Sequence, residues 1–175
     1  KNTEWGAVAY LAQSKYGRNG TEISVNQCES YYTGVGKGTG ENKIYDSTYN
    51  WSEVKDEQKY NGKIGKMSST TGNIYGIYDM AGGAYEYVMA VYGTEENPTP
   101  GGSGFTKFPD KKYYDLYTKT TMDETNIGDA LYETKGWNSD GAVMVTSAKP
   151  FFGRGGYYVS THSSGLYRAN YYGGG

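Results

Sequence analysis

The chain is poor in cysteine and histidine, the side chains most often used for metal binding and nucleophilic catalysis. Cys28 is its only cysteine and His162 its only histidine among 175 residues. A lone cysteine excludes an internal disulfide, and its simplest role is that of a small, neutral residue. A Ser/His/Asp triad or an imidazole metal site would need His162, which has no carboxylate within several residues along the chain. The sequence therefore predicts a protein that is not an enzyme and holds no metal or other cofactor.

Strong net charge and long apolar runs are also missing. The formal net charge is −2 and the isoelectric point about 5.5, so the chain lacks the basic surface that nucleic acid requires. Lys63, Lys66 and the pair Lys111-Lys112 are too sparse to form one. No apolar run approaches the ~20 residues of a membrane-spanning helix. We expect no nucleic-acid partner and no membrane insertion by this segment.

Aliphatic residues are scarce, since Leu, Ile, Val and Phe make up only 23 of the 175 residues. Such a composition is typical of disordered chains when net charge is high, but here net charge is small and 21 tyrosines supply apolar area. Each buried aromatic side chain removes about 150–250 Å² from water, and a tyrosine hydroxyl then needs a partner. We expect a tyrosine-rich core, with other tyrosines and the 27 glycines forming a surface like that of antibody binding loops.

The most informative stretch is residues 73–88, which read NIYGIYDMAGGAYEYV. The pair Gly82-Gly83 permits positive φ angles, so the chain can reverse direction there. Residues 84–89 then suit a short strand, with Tyr85 and Tyr87 on one face and Glu86 on the other. From these residues alone, a β-turn followed by an edge strand would account for the pattern.

The same stretch resembles the G-L-Y-D-M-x-G-N-V-W-E-W signature of the formylglycine-generating enzyme family, a branch of the C-type-lectin fold. The matching positions are Gly76, Tyr78, Asp79, Met80, Gly82 and Glu86, whereas Gly83, Tyr85 and Tyr87 replace the family's Asn and two Trp. Residues 154–169, RGGYYVSTHSSGLYRA, are similar to the family's R-G-G-S-W…R-x-x-Y-R pattern. The carried positions there are Arg154, Gly155, Gly156, Tyr167 and Arg168. The two matches cover a minor part of the chain and occur in the family's order.

The resemblance implies an α+β, C-type-lectin-like domain over residues 1–175, with short strands, two helices and long loops. It does not imply oxidase activity, because formylglycine-generating members bind copper through a C-terminal cysteine pair that this chain lacks. A related iron branch needs several histidines. The stretches 96–98 and 137–140 resemble the calcium motifs of lectins only loosely, so calcium is not expected either.

The family resemblance also predicts where the protein is located. The composition is closest to tyrosine- and glycine-rich surface proteins of gut bacteria and to the variable proteins of diversity-generating retroelements. Those proteins carry the fold at the end of pilin-like, cell-surface or phage tail proteins. The family's final G-F-R-V strand is not found before Gly175, and the chain begins at Lys1. We expect the C-terminal part of a longer extracellular, bacterial cell-surface or phage virion protein, in which the last strand is either missing or replaced by an end that is built differently.

Hydrophobic periodicity predicts two helices, at residues 3–16 and 126–135. In the first, Thr3 would cap, the residues 17–20 would end it, and the inward face would be Trp5, Val8, Leu11 and Ala12. In the second, Asn126 would cap, Gly136 would end it, and the inward face would be Ile127, Ala130 and Leu131. Residues 52–60 suggest a short polar helix, 142–145 a buried strand, and 150–159 a strand broken by glycines. Residues 30–50 and 93–112 are predicted to be long loops.

The candidate binding surface is the C-terminal stretch 157–172. Its candidate ligand-binding residues are Tyr157, Tyr158, Ser160, His162, Ser163, Leu166, Asn170, Tyr171 and Tyr172. In the retroelement-diversified proteins that the chain resembles, adenine-targeted mutation of Asn codons yields this mix of residues on one exposed face. Arg154 and Arg168 frame the stretch and are expected to hold loops through hydrogen bonds to carbonyls. A tyrosine-rich final hairpin that completes the core would also explain it.

Two functions follow from the composition, the C-terminal stretch and the family resemblance. The first is a non-enzymatic ligand-binding or adhesion domain whose Tyr/Ser/Asn/His face contacts a protein or glycan on another cell or host. The second is a structural subunit of an extracellular filament or pilus, self-associating through tyrosine-rich faces.

Overall fold

The computed structural model describes residues 1–25, 43–45, 51–53, 56–94, 107–157 and 164–172. Within these ranges the protein is α+β, as predicted, with one α-helix, short 3₁₀ helices and two β-sheets. The chain divides into two compact units. Lys1–Tyr10, Glu86–Arg154 and Tyr167–Gly175 form the first unit, and Leu11–Tyr85 with Gly155–Leu166 form the second. None of the helices in the described ranges is long and apolar enough to span a membrane.

Helix α1 (Asn2–Gln13) confirms the helix predicted at residues 3–16, although it ends a turn earlier. Its buried residues recur at helical spacing and are Asn2, Trp5, Gly6, Ala9 and Ala12. Leu11, predicted to face inward, is exposed, because it lies about 240° around the helix from Trp5. The predicted stop is confirmed: the amide of Gly20 donates to the carbonyl of Gln13 at 2.9 Å, with Asn19 and Gly20 at φ 50° and 79°.

In the second unit, two strands form an antiparallel pair, β1 (Lys43–Tyr45) and β2 (Trp51–Glu53). β1 lies inside the stretch 30–50 that was predicted to be a loop, so that prediction was wrong for these residues. The rest of 30–50 lies outside the described residues. Residues 52–60 do not form one polar helix, because β2 is followed by a 3₁₀ turn at Asp56–Gln58. A further 3₁₀ turn spans Gly65–Ser68.

The first unit holds a four-stranded sheet with the strand order β4-β3-β5-β6. Its strands are β3 (Glu86–Tyr92), β4 (Asp115–Tyr117), β5 (Phe151–Arg154) and β6 (Ala169–Tyr172). β3 is parallel to β4 and antiparallel to β5, and β5 is antiparallel to β6. The strands predicted within 84–89 and 150–159 are therefore confirmed, and the end of the candidate binding stretch forms a strand as well.

The core of the first unit lies on one face of this sheet. It comprises Ala90, Tyr117, Leu131, Ala142, Met144, Val145, Phe152 and Ala169. The rings of Tyr117 and Phe152 meet edge to face with centroids 5.3 Å apart. Tyr117 and Tyr167 are the buried tyrosines of the described residues, and Tyr167 donates its hydroxyl to the carbonyl of Ala9 at 3.2 Å. Tyr92 and Tyr171 pack against this core as partly buried residues. The core of the described residues is therefore mainly small and aliphatic with a few tyrosines, and the predicted tyrosine-rich core is confirmed only in part.

The α-helix predicted at residues 126–135 is absent from this described stretch. A single 3₁₀ turn, Glu124–Asn126, begins at the N-cap Asp123, and Asn126 is the reciprocal partner whose Oδ1 accepts from the Asp123 amide at 3.1 Å. Gly128 and Ala130 have φ of 98° and 54°, which no helix accommodates. Ile127 is consequently exposed, whereas Ala130 and Leu131 are buried as predicted.

Residues 142–145 are mostly buried but do not form the predicted strand. They contribute one parallel bridge, between Ala142 and Ala169, and Val143 points to solvent. Two further 3₁₀ turns, Lys111–Tyr113 and Trp137–Ser139, complete the described elements of this unit. The first overlaps the end of the predicted loop 93–112, of which residues 95–106 lie outside the described residues. The second follows Gly136, which has φ of 84°.

Candidate functional site

The two signature segments meet in the second unit at one carbonyl. The oxygen of Gly155 accepts from the amide of Gly82 at 2.9 Å and from the amide of Gly165 at 3.0 Å. Gly82, Gly83, Gly155 and Gly156 all have φ between 70° and 81°. A β-carbon at Gly156 would also lie 2.6 Å from the Cα of Ser164. These glycines are therefore required by the backbone geometry.

The remaining signature residues are also structural. Asp79 has φ of 62°, and Met80 is buried in the second unit. Gly76 leaves no room for a β-carbon beside the hydroxyls of Ser69 and Thr71. In the first unit, Glu86 opens β3 directly opposite Arg154 of β5.

Both framing arginines donate to backbone carbonyls, as the sequence predicted. Arg154 is fully buried and donates from Nη2 to the oxygen of Ala130 at 3.0 Å, with its guanidinium 5.7 Å from the ring centre of Trp5. Burial lowers its pKa to about 10. Arg168 donates from Nη1 to the oxygen of Gly141 at 3.3 Å.

The first unit also contains a buried carboxylate, that of Asp140, which accepts a hydrogen bond from the backbone. Oδ2 of Asp140 accepts from the amide of Tyr167 at 2.9 Å, and the residue is 2% exposed. Burial raises the pKa of Asp140 to about 6, and the hydrogen bond from Tyr167 opposes this shift. The carboxylate thus fixes the backbone just before β6.

Four of the predicted contact residues, Tyr158, Ser160, His162 and Ser163, lie outside the described residues. In the second unit, Tyr157 is exposed, its ring centre lies 5.1 Å from that of Tyr85, and its carbonyl accepts from Oγ of Ser164 at 2.9 Å. Leu166 is only 2% exposed, so its prediction as a contact residue is corrected: its side chain is buried.

The other three predicted residues lie on β6 and face opposite ways. Strand alternation places Asn170 and Tyr172 on one face and Tyr171 on the other. Tyr171 packs against the core of the first unit, and Nζ of Lys149 lies 4.7 Å from its ring centre. Tyr171 therefore has a structural role, and its prediction as a ligand-binding residue is not carried further.

The outer face of the sheet brings a further tyrosine to this surface. The register aligns Tyr87 with Gly153 and Gly153 with Asn170. Because Gly153 has no side chain, the rings of Tyr87 and Tyr172 meet across β5 with centroids 5.5 Å apart. Nδ2 of Asn170 lies 3.4 Å from the Tyr172 hydroxyl. We call Tyr87, Met89, Asn170 and Tyr172 the tyrosine face.

Sequence reasoning placed Tyr87 in the scaffold signature and missed its place in this surface. Tyr87 is 62% exposed, and Met89, two residues on, is exposed as well. The period-2 pattern of β3 was the available signal, but the pairing with β6 across Gly153 cannot be read from one strand. The tyrosine face offers aromatic area with an amide and hydroxyls at its edge.

The first unit also contains a cavity of about 390 Å³ beside α1 and β4, which the sequence did not indicate. At its wall the Tyr117 hydroxyl accepts from Nδ2 of Asn2 and donates to Oδ2 of Asp129, both at 2.8 Å. Oδ2 of Asp115 accepts from the amide of Thr3 at 2.8 Å. Burial is the main cause that raises the pKa of both Tyr117 and Asp129.

Among the described residues, no group of three or more His, Cys, Asp or Glu side chains could hold a metal ion. Comparison with models of protein families, with curated proteins and with solved structures finds no match. The function of the tyrosine face is therefore inferred from the chemistry of its side chains.

Proposed function

We propose that the protein is a non-enzymatic binding or adhesion domain that contacts a protein or glycan ligand through the tyrosine face. The observation that carries this proposal is the contact of exposed Tyr87 with partly exposed Tyr172 on the outer face of the sheet, with Asn170 beside them. Aromatic side chains are among the residue types that supply most of the energy in protein interfaces.

The arrangement suits binding because the rings are held before any ligand arrives. Tyr87 and Tyr172 contact each other, so binding would immobilise few additional side-chain rotations. Tyrosine combines apolar area with a hydroxyl, which allows contact with both apolar and hydrogen-bonding groups. Exposed Met89 adds an adaptable apolar edge.

We further propose a C-type-lectin-like fold related to the formylglycine-generating enzyme family. In its support, the signature glycines occupy positions with positive φ, and the two signature segments share the hydrogen-bonded carbonyl of Gly155. Display on a bacterial cell surface, a pilus or a phage virion is part of the same proposal. Nucleic acid is not among the proposed partners, given the net charge of −2.

The test is binding of the full chain to an array of immobilised glycans and purified extracellular matrix proteins. We expect Tyr87→Ala with Tyr172→Ala to weaken binding by at least about ten-fold, because aromatic anchors typically contribute more than about 1.4 kcal/mol. The matched control is Tyr132→Ala, an exposed tyrosine of the same unit outside the tyrosine face. Equal binding by both variants, with unchanged melting temperatures, would rule out the tyrosine face as the contact surface.

A specific observation also supports the second candidate, a filament subunit. In the second unit, Tyr75 is 88% exposed, flanked by exposed Ile74 and Ile77. This loop is fixed by hydrogen bonds from the Tyr75 amide to Oδ1 of Asn73 at 2.9 Å and from the Ile77 amide to Oγ1 of Thr70 at 3.0 Å. Ordered, exposed apolar groups of this kind often mark protein contacts. Concentration-dependent light scattering that Tyr75→Ser abolishes would favour self-association.

A further inference from the structure

We propose that the cavity of the first unit binds a neutral, polyhydroxylated small molecule of monosaccharide or polyol size. The cavity shares no residue with the tyrosine face, so this site is additional to the proposed function and independent of it. Its volume, about 390 Å³, falls in the range of small-molecule sites. Its fixed polar groups, its charge balance and its apolar wall together define the ligand class.

The polar groups of the cavity are held in place by the protein. Asp129 is half-buried and its Oδ2 is fixed by the Tyr117 hydroxyl, which is itself fixed by Asn2. Asp115 is held by the Thr3 amide at 2.8 Å, and its Oδ1 lies 3.5 Å from Nζ of Lys1. A carboxylate has about four lone-pair positions, so each can still accept from a ligand hydroxyl. Preorganised acceptors of this kind fix the orientation of a small ligand.

The charges that line the cavity are balanced. Two carboxylates, Asp115 and Asp129, face two ammonium groups, Lys111 and Lys119. Lys119 also pairs with Asp123 at 2.6 Å, and Asp115 with Lys1. An anionic ligand would be repelled by the two carboxylates, and a cationic ligand by the two ammonium groups. An uncharged ligand that both donates and accepts hydrogen bonds fits this lining better.

The remaining wall supplies hydroxyl and apolar groups. Thr118 and Thr125 line the cavity. The Thr118 hydroxyl can donate or accept, whereas the Thr125 hydroxyl donates to Oδ1 of Asp123 and can still accept. Tyr114, Leu116 and Met144 line it as well, and the ring of Tyr114 is supported by that of Phe108 at 5.4 Å. Sugars and polyols have this dual character, with hydroxyls at the edge and C–H groups on the faces. The mixed wall therefore matches them better than a purely apolar ligand.

The test is a titration of the full-length, ¹⁵N-labelled chain with methyl glycosides of glucose, galactose and mannose, with N-acetylglucosamine and with sorbitol. We expect saturable shifts at the amides of Thr118 and Asn126 for at least one probe. Thr118→Val should weaken that binding several-fold, and Asp129→Asn by at least about ten-fold through loss of a charge-assisted hydrogen bond. Thr121→Val, an exposed threonine nearby that does not line the cavity, is the matched control.

Putrescine and acetate are titrated in parallel to distinguish other ligand classes. Saturation at the cavity amides by either charged probe and by none of the neutral ones would overturn the proposal. So would the absence of saturable shifts with every neutral probe at millimolar concentration, or equal affinity in Thr118→Val and Thr121→Val. Because the readout is at cavity amides, none of these results depends on the tyrosine face.

Discussion

Arg154 donates a hydrogen bond from Nη2 to the carbonyl of Ala130 at 3.0 Å, and neither residue is accessible to solvent. Ala130 has φ of 54°, which directs its carbonyl away from any helical partner. The arginine thus donates to a buried carbonyl that the irregular backbone leaves without a helical hydrogen-bond partner. It replaces, by a side chain, the backbone hydrogen bond that a helix over 126–135 would have provided.

We predict that Arg154→Lys lowers the free energy of unfolding by about 2–4 kcal/mol, because an ammonium cannot match the reach and planarity of the guanidinium at a buried site. Arg168→Lys is the matched control. Arg168 is partly exposed and donates at 3.3 Å, so we expect a loss of about 1 kcal/mol. Denaturant unfolding measures both variants. Equal losses of unfolding free energy would contradict the idea that burial of Arg154 makes its hydrogen bond more important than that of Arg168.

A pH dependence is expected from Asp140. Its pKa rises from 3.8 to about 6 on folding because of burial, so the folded chain holds this proton more tightly than the unfolded chain. The contribution of Asp140 to stability is therefore greatest below its unfolded pKa and is lost as pH rises through about 6. Asp140→Asn keeps an acceptor for the Tyr167 amide but removes the titration. We predict that the stability of the wild type relative to this variant falls by about 3 kcal/mol between pH about 3 and about 7.

Chemical denaturation at several pH values measures this difference. Glu57→Gln, at an exposed position of the second unit, is the control for adding an amide in place of a carboxylate. A difference between wild type and Asp140→Asn that stays constant with pH would show that Asp140 does not titrate as a buried group.

Gly20 and Gly156 have nearly equal φ. Replacing each with alanine therefore compares the cost of backbone strain alone with the cost of strain plus a steric clash. Gly20 has φ of 79° with nothing near the position of a β-carbon, whereas at Gly156, with φ of 81°, the β-carbon would meet Ser164. We predict a loss of about 1–2 kcal/mol for Gly20→Ala and a further loss of at least about 1 kcal/mol for Gly156→Ala. Thermal or denaturant unfolding compares the two variants. Equal losses of unfolding free energy would mean that the loop around Ser164 moves to accommodate the new β-carbon at little cost.

Local sequence patterns predicted part of the fold. The α+β class, helix α1, the turn at Gly82-Gly83 and the strand β5 follow from local signals, namely periodicity, positive-φ glycines and β-branched or aromatic runs. The helix predicted at 126–135 failed because Gly128 and Ala130 adopt positive φ. The contact of Arg154 with Ala130 and the bond from the Gly128 amide to Oε1 of Glu133 stabilise that path. Asn126 was predicted to be the N-cap of that helix, and this was wrong: the N-cap is Asp123, and Asn126 is the third residue of the turn Glu124–Asn126.

The candidate site was only partly predictable for a similar reason. Tyr171 and Tyr172 are adjacent and identical in the sequence, so which of them faces the core depends on the pairing of β6 with β5. The cavity combines Thr3 of α1 with residues of the stretch 111–129, which lies more than about 100 residues further along the chain. No local signal indicates such a convergence.

Tyr171 and Tyr87 should respond differently to truncation. Tyr171 packs against the core and under Lys149, so we predict that Tyr171→Ala lowers the free energy of unfolding by about 2–3 kcal/mol. Tyr87 is mostly exposed, and Tyr87→Ala should change it by less than about 1 kcal/mol. Denaturant unfolding of the two variants tests the assignment of the two sheet faces. A larger loss for Tyr87→Ala would reverse that assignment.

The proposed relation to diversified binding proteins predicts a specific pattern of natural variation. If adenine-targeted mutation acts on the C-terminal stretch, selection for folding should still preserve its buried positions. We therefore expect variation at Tyr157, Asn170 and Tyr172, and identity at Leu166 and Tyr167, which are both buried. Deep sequencing of the encoding locus in its native population, comparing codons 154–175 with codons 70–90, measures this. Variation spread equally over exposed and buried codons, or identity across both windows, would remove diversification and leave a fixed adhesin or a filament subunit.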